Sequence, residues 1–309
     1  MKILVLGAGG IGGYFGGRLA EAGSDVTFLV REKRRDALAK DGLVVESPGG
    51  DIWMPVKTVI AAELKSGYDT VLFTCKAYDL ESAMDAISPA VQGSAAIVPL
   101  LNGLAHFEKL DARFGRERVM GGTAHINVTL RKDGVIVHGD ALNRIIFGER
   151  DKQETPRVKA LAAEFAKTKA DWKLSPDIEQ DLWEKVVFLS ALAAATCLFR
   201  GNVREIMAAP GGREAMVRAL EANKAIAAAE GHAPREAAID RASQRLTDPQ
   251  GLWSASMLRD LEGGGQVEAD HVVGWMLERA RRHGVDDTVL SMAYTHLKTY
   301  ENRRAAGRL

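Results

Sequence analysis

With 309 residues the chain exceeds the usual size of one domain, and at roughly 100 to 200 residues per domain it is expected to hold two. Its 41 lysines and arginines balance 41 aspartates and glutamates, so net charge argues for neither a nucleic-acid nor an anionic-membrane partner. Cys75 and Cys197 are far apart in apolar surroundings, which excludes a disulfide framework and a zinc motif and reads as two buried thiols. No apolar run approaches the roughly 20 residues that span a bilayer, and the chain opens on a strand rather than a signal peptide, so a cytoplasmic protein is expected.

The first element is an apolar run, Lys2 to Leu6, that meets Gly7, Gly9 and Gly12 in the spacing GxGxxG. This spacing carries chemistry only between a strand and a helix. The first glycine makes a tight turn, the second lets backbone approach a pyrophosphate, and the third lets helix and strand pack closely. Ile3, Leu4, Val5 and Leu6 read as a strand buried on both faces, and Ile11 to Ala22 as a helix whose N-terminal amides face the anion. The loop Gly7, Ala8, Gly9, Gly10, Ile11, Gly12 is therefore expected to hold a dinucleotide, unless Gly13, Gly16 and Gly17 merely extend a glycine-rich turn.

A second strand, Asp25 to Val30, ends where an NAD-preferring site places a carboxylate on the ribose. Here Arg31 follows Val30, and Lys33, Arg34 and Arg35 come close behind. A planar guanidinium offers paired donors to a 2′-phosphate, which favours NADPH. Either the whole cluster serves that phosphate, or Arg31 alone does while the others form a solvated helix face.

Leu43 to Glu46 and Asp51 to Val59 then read as short strands around Pro48, Gly49 and Gly50. Asp69 to Cys75 is a stronger strand, followed by a helix to Ala90 and another strand from Ala95 to Leu101. Val119 to Leu130, Val135 to His138 and Arg144 to Phe147 are expected to extend the same sheet with antiparallel strands. A helix from Pro156 to Lys169 and a short strand near Trp172 lead to Ser175 and Pro176, the expected boundary. The pattern predicts an α/β class: an N-terminal Rossmann-type, doubly wound domain over 1–175 and an all-α domain over 176–309. The second half is alanine-rich, with helices expected at Ile178 to Phe199, Gly212 to Glu230, Pro234 to Leu246, Trp253 to Leu261, Val267 to His283 and Thr288 to Arg303. Its small residues offer a face for a homodimer.

Ligands of an open parallel sheet lie beyond the carboxyl ends of its strands, which singles out Lys76 and Asn102. By position alone each is as readily a solvated or turn residue. Lys185 lies inside the apolar run Leu182 to Leu189. It either snorkels to solvent or sits in a cleft where desolvation lowers its pKa toward a useful value.

Taken in order, these residues resemble the ketopantoate reductase (2-dehydropantoate 2-reductase) family over nearly the whole chain. The resemblance rests on the Gly7 to Gly12 loop, Arg31, Cys75-Lys76-Ala77 and Asn102-Gly103. It continues in Leu182-Trp183-Glu184-Lys185, Ser256-Met257-Leu258-Arg259-Asp260, and Glu268 twelve residues beyond Ser256. It implies hydride transfer from NADPH to the C2 ketone of a branched 2-oxo acid, a small-molecule substrate. Lys185 would be the general acid, Glu268 would grip a substrate hydroxyl or hold Lys185, and Ser256 would help bind the carboxylate. Asn102 and Lys76 would line the gap between nicotinamide and substrate. Biosynthetic members carry asparagines four and eight residues after the lysine, whereas this chain has Leu189 and Ala193; Ser190 is turned roughly 140° away from Lys185. Three readings follow: reduction of ketopantoate for pantothenate synthesis, NADPH-dependent reduction of a less polar 2-oxo acid or ketone, and a non-catalytic NADP(H) sensor, against which Lys185 and Glu268 argue. His106 and His125 are expected to be structural.

Overall fold

The strand β1 (Lys2–Leu6) is the centre of the first sheet, and Ile3, Leu4 and Val5 are wholly buried, as a strand covered on both faces requires. The computed structural model describes residues 1–309 and divides into two units: 1–101 with 106–179, and 102–105 with 180–309.

In the first unit α1 (Gly10–Glu21), β2 (Asp25–Leu29), α2 (Glu32–Asp41), β3 (Leu43–Glu46), β4 (Ile52–Met54) and β5 (Lys57–Val59) follow β1. Next come β6 (Thr70–Phe73), α3 (Leu80–Val91), β7 (Ala96–Pro99) and α4 (His106–Phe114). The unit closes with β8 (Gly121–Leu130), β9 (Ile136–Gly148), α5 (Pro156–Phe165) and β10 (Asp171–Leu174). One sheet is all parallel, in the order β5-β2-β1-β6-β7, with the reversal of winding beside β1 that defines a doubly wound fold.

The later strands do not extend that sheet as antiparallel additions. They form a second, mixed sheet, β10-β9-β3-β4, with β8 antiparallel to β9. Strand β9 continues through Gly139, but its pairing with β8 is interrupted there: Ile126 pairs with Asn143 and Val128 with His138, so residues 139–142 of β9 bulge opposite Asn127. The expected strand over Asp51 to Val59 is broken at Pro55 and Val56, and its halves pair in different sheets.

Helix α1 explains why Gly13, Gly16 and Gly17 are more than an extended turn. All three lie within it, and a Cβ at each would collide with a large side chain: Ile136 of β9, Phe28 of β2 and Leu43 of β3, at 2.1, 2.7 and 2.9 Å. The helix is packed against both sheets, so its bare glycine faces admit the branched and aromatic residues of each. Tyr14, Phe15 and Leu19 fill the core between them.

The second unit is all helical: α6 (Ile178–Phe199, whose first two residues belong to the first unit), α7 (Val203–Ala208), α8 (Gly212–Ala229), α9 (Glu236–Leu246), α10 (Ser256–Glu262), α11 (Trp275–His283) and α12 (Thr288–Ala305). Helix α7 was not anticipated, although Asn202 and Glu205 form a reciprocal capping box at its start. Trp253 to Ala255 lie outside α10, and a π-helical turn at Asp270–Gly274 interrupts the expected helix from Val267. Helix α6 has the length and mean hydropathy of a membrane span, 1.6 over 18 residues, but Ala191 and Ala193 to Ala195 are buried in the unit, as in a core helix.

Candidate active site

At the Gly7 loop the backbone takes φ +89°, and the Gly7 N–H donates to the Leu29 carbonyl at 2.8 Å. A Cβ on Gly12 would lie 2.2 Å from the Gly7 carbonyl oxygen, so the start of α1 can approach the strand end only with glycine there. Gly9 caps α1, and a Cβ there would meet open space. No side chain caps the helix and its first turn holds no acidic residue, so its free amides suit a pyrophosphate. The residues of this loop fit a dinucleotide.

The cationic cluster after β2 splits in two. Arg31 is 79% exposed and pairs with Asp79 at 2.9 Å, and Lys33 is exposed. Arg34 turns inward: Nε and Nη2 donate to the Ala8 carbonyl at 3.2 and 2.9 Å, and Nη1 donates to the Gly134 carbonyl at 3.1 Å. Arg35 pairs with Glu63 at 3.1 Å. The solvated-face reading thus fails for Arg34, which ties the glycine loop to the turn between β8 and β9. Sequence reasoning had no signal for this, because Gly134 is 100 residues away.

The strands that present Lys76 and Asn102 are shorter than expected. Strand β6 stops at Phe73, so Lys76 is three residues past its end, half-buried and capping the 3₁₀ turn Ala77–Asp79. Strand β7 stops at Pro99, and Asn102 belongs with the helical unit. There Gly103, at φ +78°, packs so closely that a Cβ would lie 2.8 Å from the His271 carbonyl oxygen. This brings Asn102 beside the segment that carries Glu268.

In the helical unit, α6 has one partly accessible stripe, formed by Asp181, Glu184, Lys185, Phe188 and Leu189, which recur at helical spacing. Arg235 holds its upper end, with Nε 2.6 Å from Glu184 Oε1 and Nη2 on Asp181. Burial pushes the Glu184 carboxyl up, but hydrogen bonds from Arg235 and Gln180 outweigh it and hold the group below the usual carboxylate range. Trp183, on the other side of the helix, stacks on His232 at 5.3 Å and lies 5.4 Å from Trp275. In the Leu182 to Lys185 motif, tryptophan and glutamate therefore anchor the helix.

Lys185 remains. Burial lowers its ammonium from 10.5 to about 8, and the charge of Glu268 opposes that fall. Desolvation of this kind is what the cleft reading of Lys185 expects, although the residue lies on the partly accessible stripe. Glu268 is 7% exposed and immediately precedes the helical turn at Ala269, where its carbonyl accepts from the Val272 N–H at 3.2 Å. The π-helical turn that follows widens the backbone next to it, a feature frequent at functional sites. Ser256 is the first residue of α10 rather than a mid-helix serine. The N–H of Ala255 before it donates to Thr196 Oγ1 of α6 at 3.4 Å, three turns beyond Lys185.

Leu189 is half-buried and Ala193 is 2% exposed, while Ser190 is fully buried with its hydroxyl unpartnered, so it offers no substitute amide. His106 is buried against the Phe107 ring. Cys197 is buried, which pushes its thiol up to about 12, but Cys75 is only half-buried, against expectation.

Residues 3–152 match the family model described as ketopantoate reductase PanE/ApbA, and residues 177–301 match its C-terminal model. The chain is 38% identical over 302 residues to the uncharacterized oxidoreductase YkpB of Bacillus subtilis, covering 97% of this chain and 99% of that protein. It is 28% identical to the 2-dehydropantoate 2-reductase of Halobacterium salinarum, over 92% of this chain and 94% of the relative. The crystal structure of 2-dehydropantoate 2-reductase from Geobacter metallireducens superposes with a TM-score of 0.87 at 30% identity, covering 97% and 99% of the two chains. A ternary structure of D-mandelate dehydrogenase with NADH and anilino(oxo)acetate shares the fold, at TM-score 0.87, 18% identity and 99% and 100% coverage. The chain belongs to the ketopantoate reductase family, oxidoreductases that act on CH–OH groups with a nicotinamide cofactor.

Proposed function

We propose that this protein reduces a 2-oxo acid with NADPH, and that 2-dehydropantoate, converted to pantoate for pantothenate synthesis in the cytoplasm, is the first substrate to test. The observation that carries the reading is Lys185, an ammonium drawn by burial to about 8 with Glu268 opposing. A general acid works best with a pKa near the operating pH.

The nicotinamide, when bound, supplies the hydride. Lys185 hydrogen-bonds the ketone oxygen at C2, stabilises the negative charge that grows there, and delivers the proton from Nζ, leaving a neutral amine that solvent reprotonates. Glu268 keeps the ammonium charged and orients it. Ser256 helps bind the substrate carboxylate, and Asn102 and Lys76 line the gap between nicotinamide and substrate. Arg31 binds the 2′-phosphate, and the amides of Gly9, Gly10 and Ile11 bind the pyrophosphate.

Leu189 and Ala193 favour a second reading within the same chemistry, a 2-oxo acid or ketone with fewer hydroxyls than ketopantoate. A hydroxyl facing that wall would lack the amide partners, at about 1 to 3 kcal/mol for each group left unpaired. The test is loss of the near-ultraviolet absorbance of NADPH with 2-dehydropantoate as the only ketone. The Lys185→Ala protein, run alongside, is expected to turn over at least about a hundredfold more slowly. Turnover independent of Lys185 refutes the mechanism; no turnover, with NADPH still bound, moves the function to the second reading.

A further inference from the structure

Resting on that reading, we infer that Arg245 is a substrate-binding residue that receives the carboxylate of the 2-oxo acid. Arg245 lies near the end of α9, and its guanidinium sits over two rings, 5.9 Å from the centre of Phe188 and 5.2 Å from that of Trp253. Both rings belong to segments that carry candidate site residues. Phe188 is three residues beyond Lys185 on α6, about 4.5 Å along the axis and on the same partly accessible face. Trp253 is three residues before Ser256, in the loop that seats Ala255 against Thr196. Arg245 thus joins Phe188 of the stripe that carries Lys185 to the loop that leads into Ser256.

The chemistry of the guanidinium supports the same conclusion. Stacking on aromatic rings engages its faces and leaves the in-plane N–H donors available, in the fork that matches a carboxylate. No carboxylate of the protein takes that fork: Arg245 has no acidic partner within ion-pair distance, whereas Arg235, the other arginine over this stripe, is held by Asp181 and Glu184. The loop is itself anchored, since the Val203 N–H donates to the Trp253 carbonyl at 3.0 Å and the Arg204 N–H to the Gly251 carbonyl at 2.8 Å. Arg245 itself is exposed, so the fork is reachable from solvent. Leu189, a half-buried apolar residue next to Phe188 on the same face, adds an apolar wall, and with the stacked arginine it describes a ligand with an anionic head and an apolar tail. The wall then reads the tail, and Arg245 with Ser256 reads the head.

The experiment compares each 2-oxo acid that the wild type reduces with its neutral methyl ester, taken as a substrate or, where it is not reduced, as a competitive inhibitor. Arg245→Met keeps bulk over the rings and removes the charge; Arg245→Lys keeps charge and loses the fork. Arg245→Met is expected to raise KM for the acid by about tenfold or more. The ester constant should stay within about twofold and NADPH affinity, read by fluorescence titration, should not change. Arg245→Lys should recover part of the loss. Equal effects on acid and ester, or an unchanged KM for the acid, overturn the assignment while leaving the reductase reading in place. A wild type that reduces no 2-oxo acid overturns both.

Discussion

Replacing Glu268 by glutamine removes the one negative charge that opposes the desolvation of Lys185. With that charge present, burial brings the ammonium from 10.5 to about 8. An opposite charge at close range holds a pKa by roughly 1 to 3 units, so in Glu268→Gln the group should titrate near pH 7 or below. If protonated Lys185 is the general acid, kcat/KM falls as pH rises through its pKa, with an alkaline limb near pH 8 in the wild type. A limb moved to about pH 7 costs roughly twofold at pH 7, where the protonated fraction drops from about nine-tenths to one-half, and roughly ninefold at pH 9. The assay is a pH profile of kcat/KM under saturating NADPH. The position of the limb is the readout, because loss of a substrate contact lowers the whole profile without moving it. A limb that stays near pH 8 in Glu268→Gln refutes the electrostatic coupling, and one that survives in Lys185→Ala belongs to another group.

Arg31→Ala should weaken NADPH far more than NADH, since only the former carries the phosphate that an exposed guanidinium can reach; equal losses in titrations of both cofactors transfer selectivity to Lys33. Arg34→Gln should weaken both cofactors alike, by about tenfold, because it frees the Ala8 carbonyl and with it the loop that meets their shared pyrophosphate; a selective loss of NADPH would contradict this. Gly12→Ala places a methyl 2.2 Å from the Gly7 carbonyl oxygen, so a loss of about 1 to 3 kcal/mol in denaturant unfolding is expected, together with loss of dinucleotide binding; wild-type values for both would remove the close-packing argument.

Much of this protein is local, and local features are legible in a sequence. The run Ile3 to Leu6 before Gly7, Gly9 and Gly12 specifies strand, turn and helix within a few residues, because buried-strand composition and glycine geometry act over that range. The span of α6 is similarly legible from its uninterrupted helix-forming residues, and Lys185 stands out as a cation among them. The family motifs added Ser256 and Glu268 as candidates, on residue order alone, whereas Arg31 stands out by its place just after the second strand.

Only the tertiary structure decided the division into two sheets, since a strand's hydrophobic pattern says which residues are covered but not by which neighbour. Strand β9 pairs with β3, about ninety residues earlier, and Gly13 and Gly17 are glycine because α1 must fit against that sheet. The same holds at the site. Snorkelling and desolvation of Lys185 share one sequence, and the burial that lowers its pKa arises from tertiary packing. Arg34 and Arg245 look like ordinary surface arginines until the fold brings Ala8 and Gly134 to one and Phe188 and Trp253 to the other. A side chain's local chemistry is carried by its own residue type and close neighbours, whereas its charge state and partners depend on atoms that the fold brings in from far along the chain.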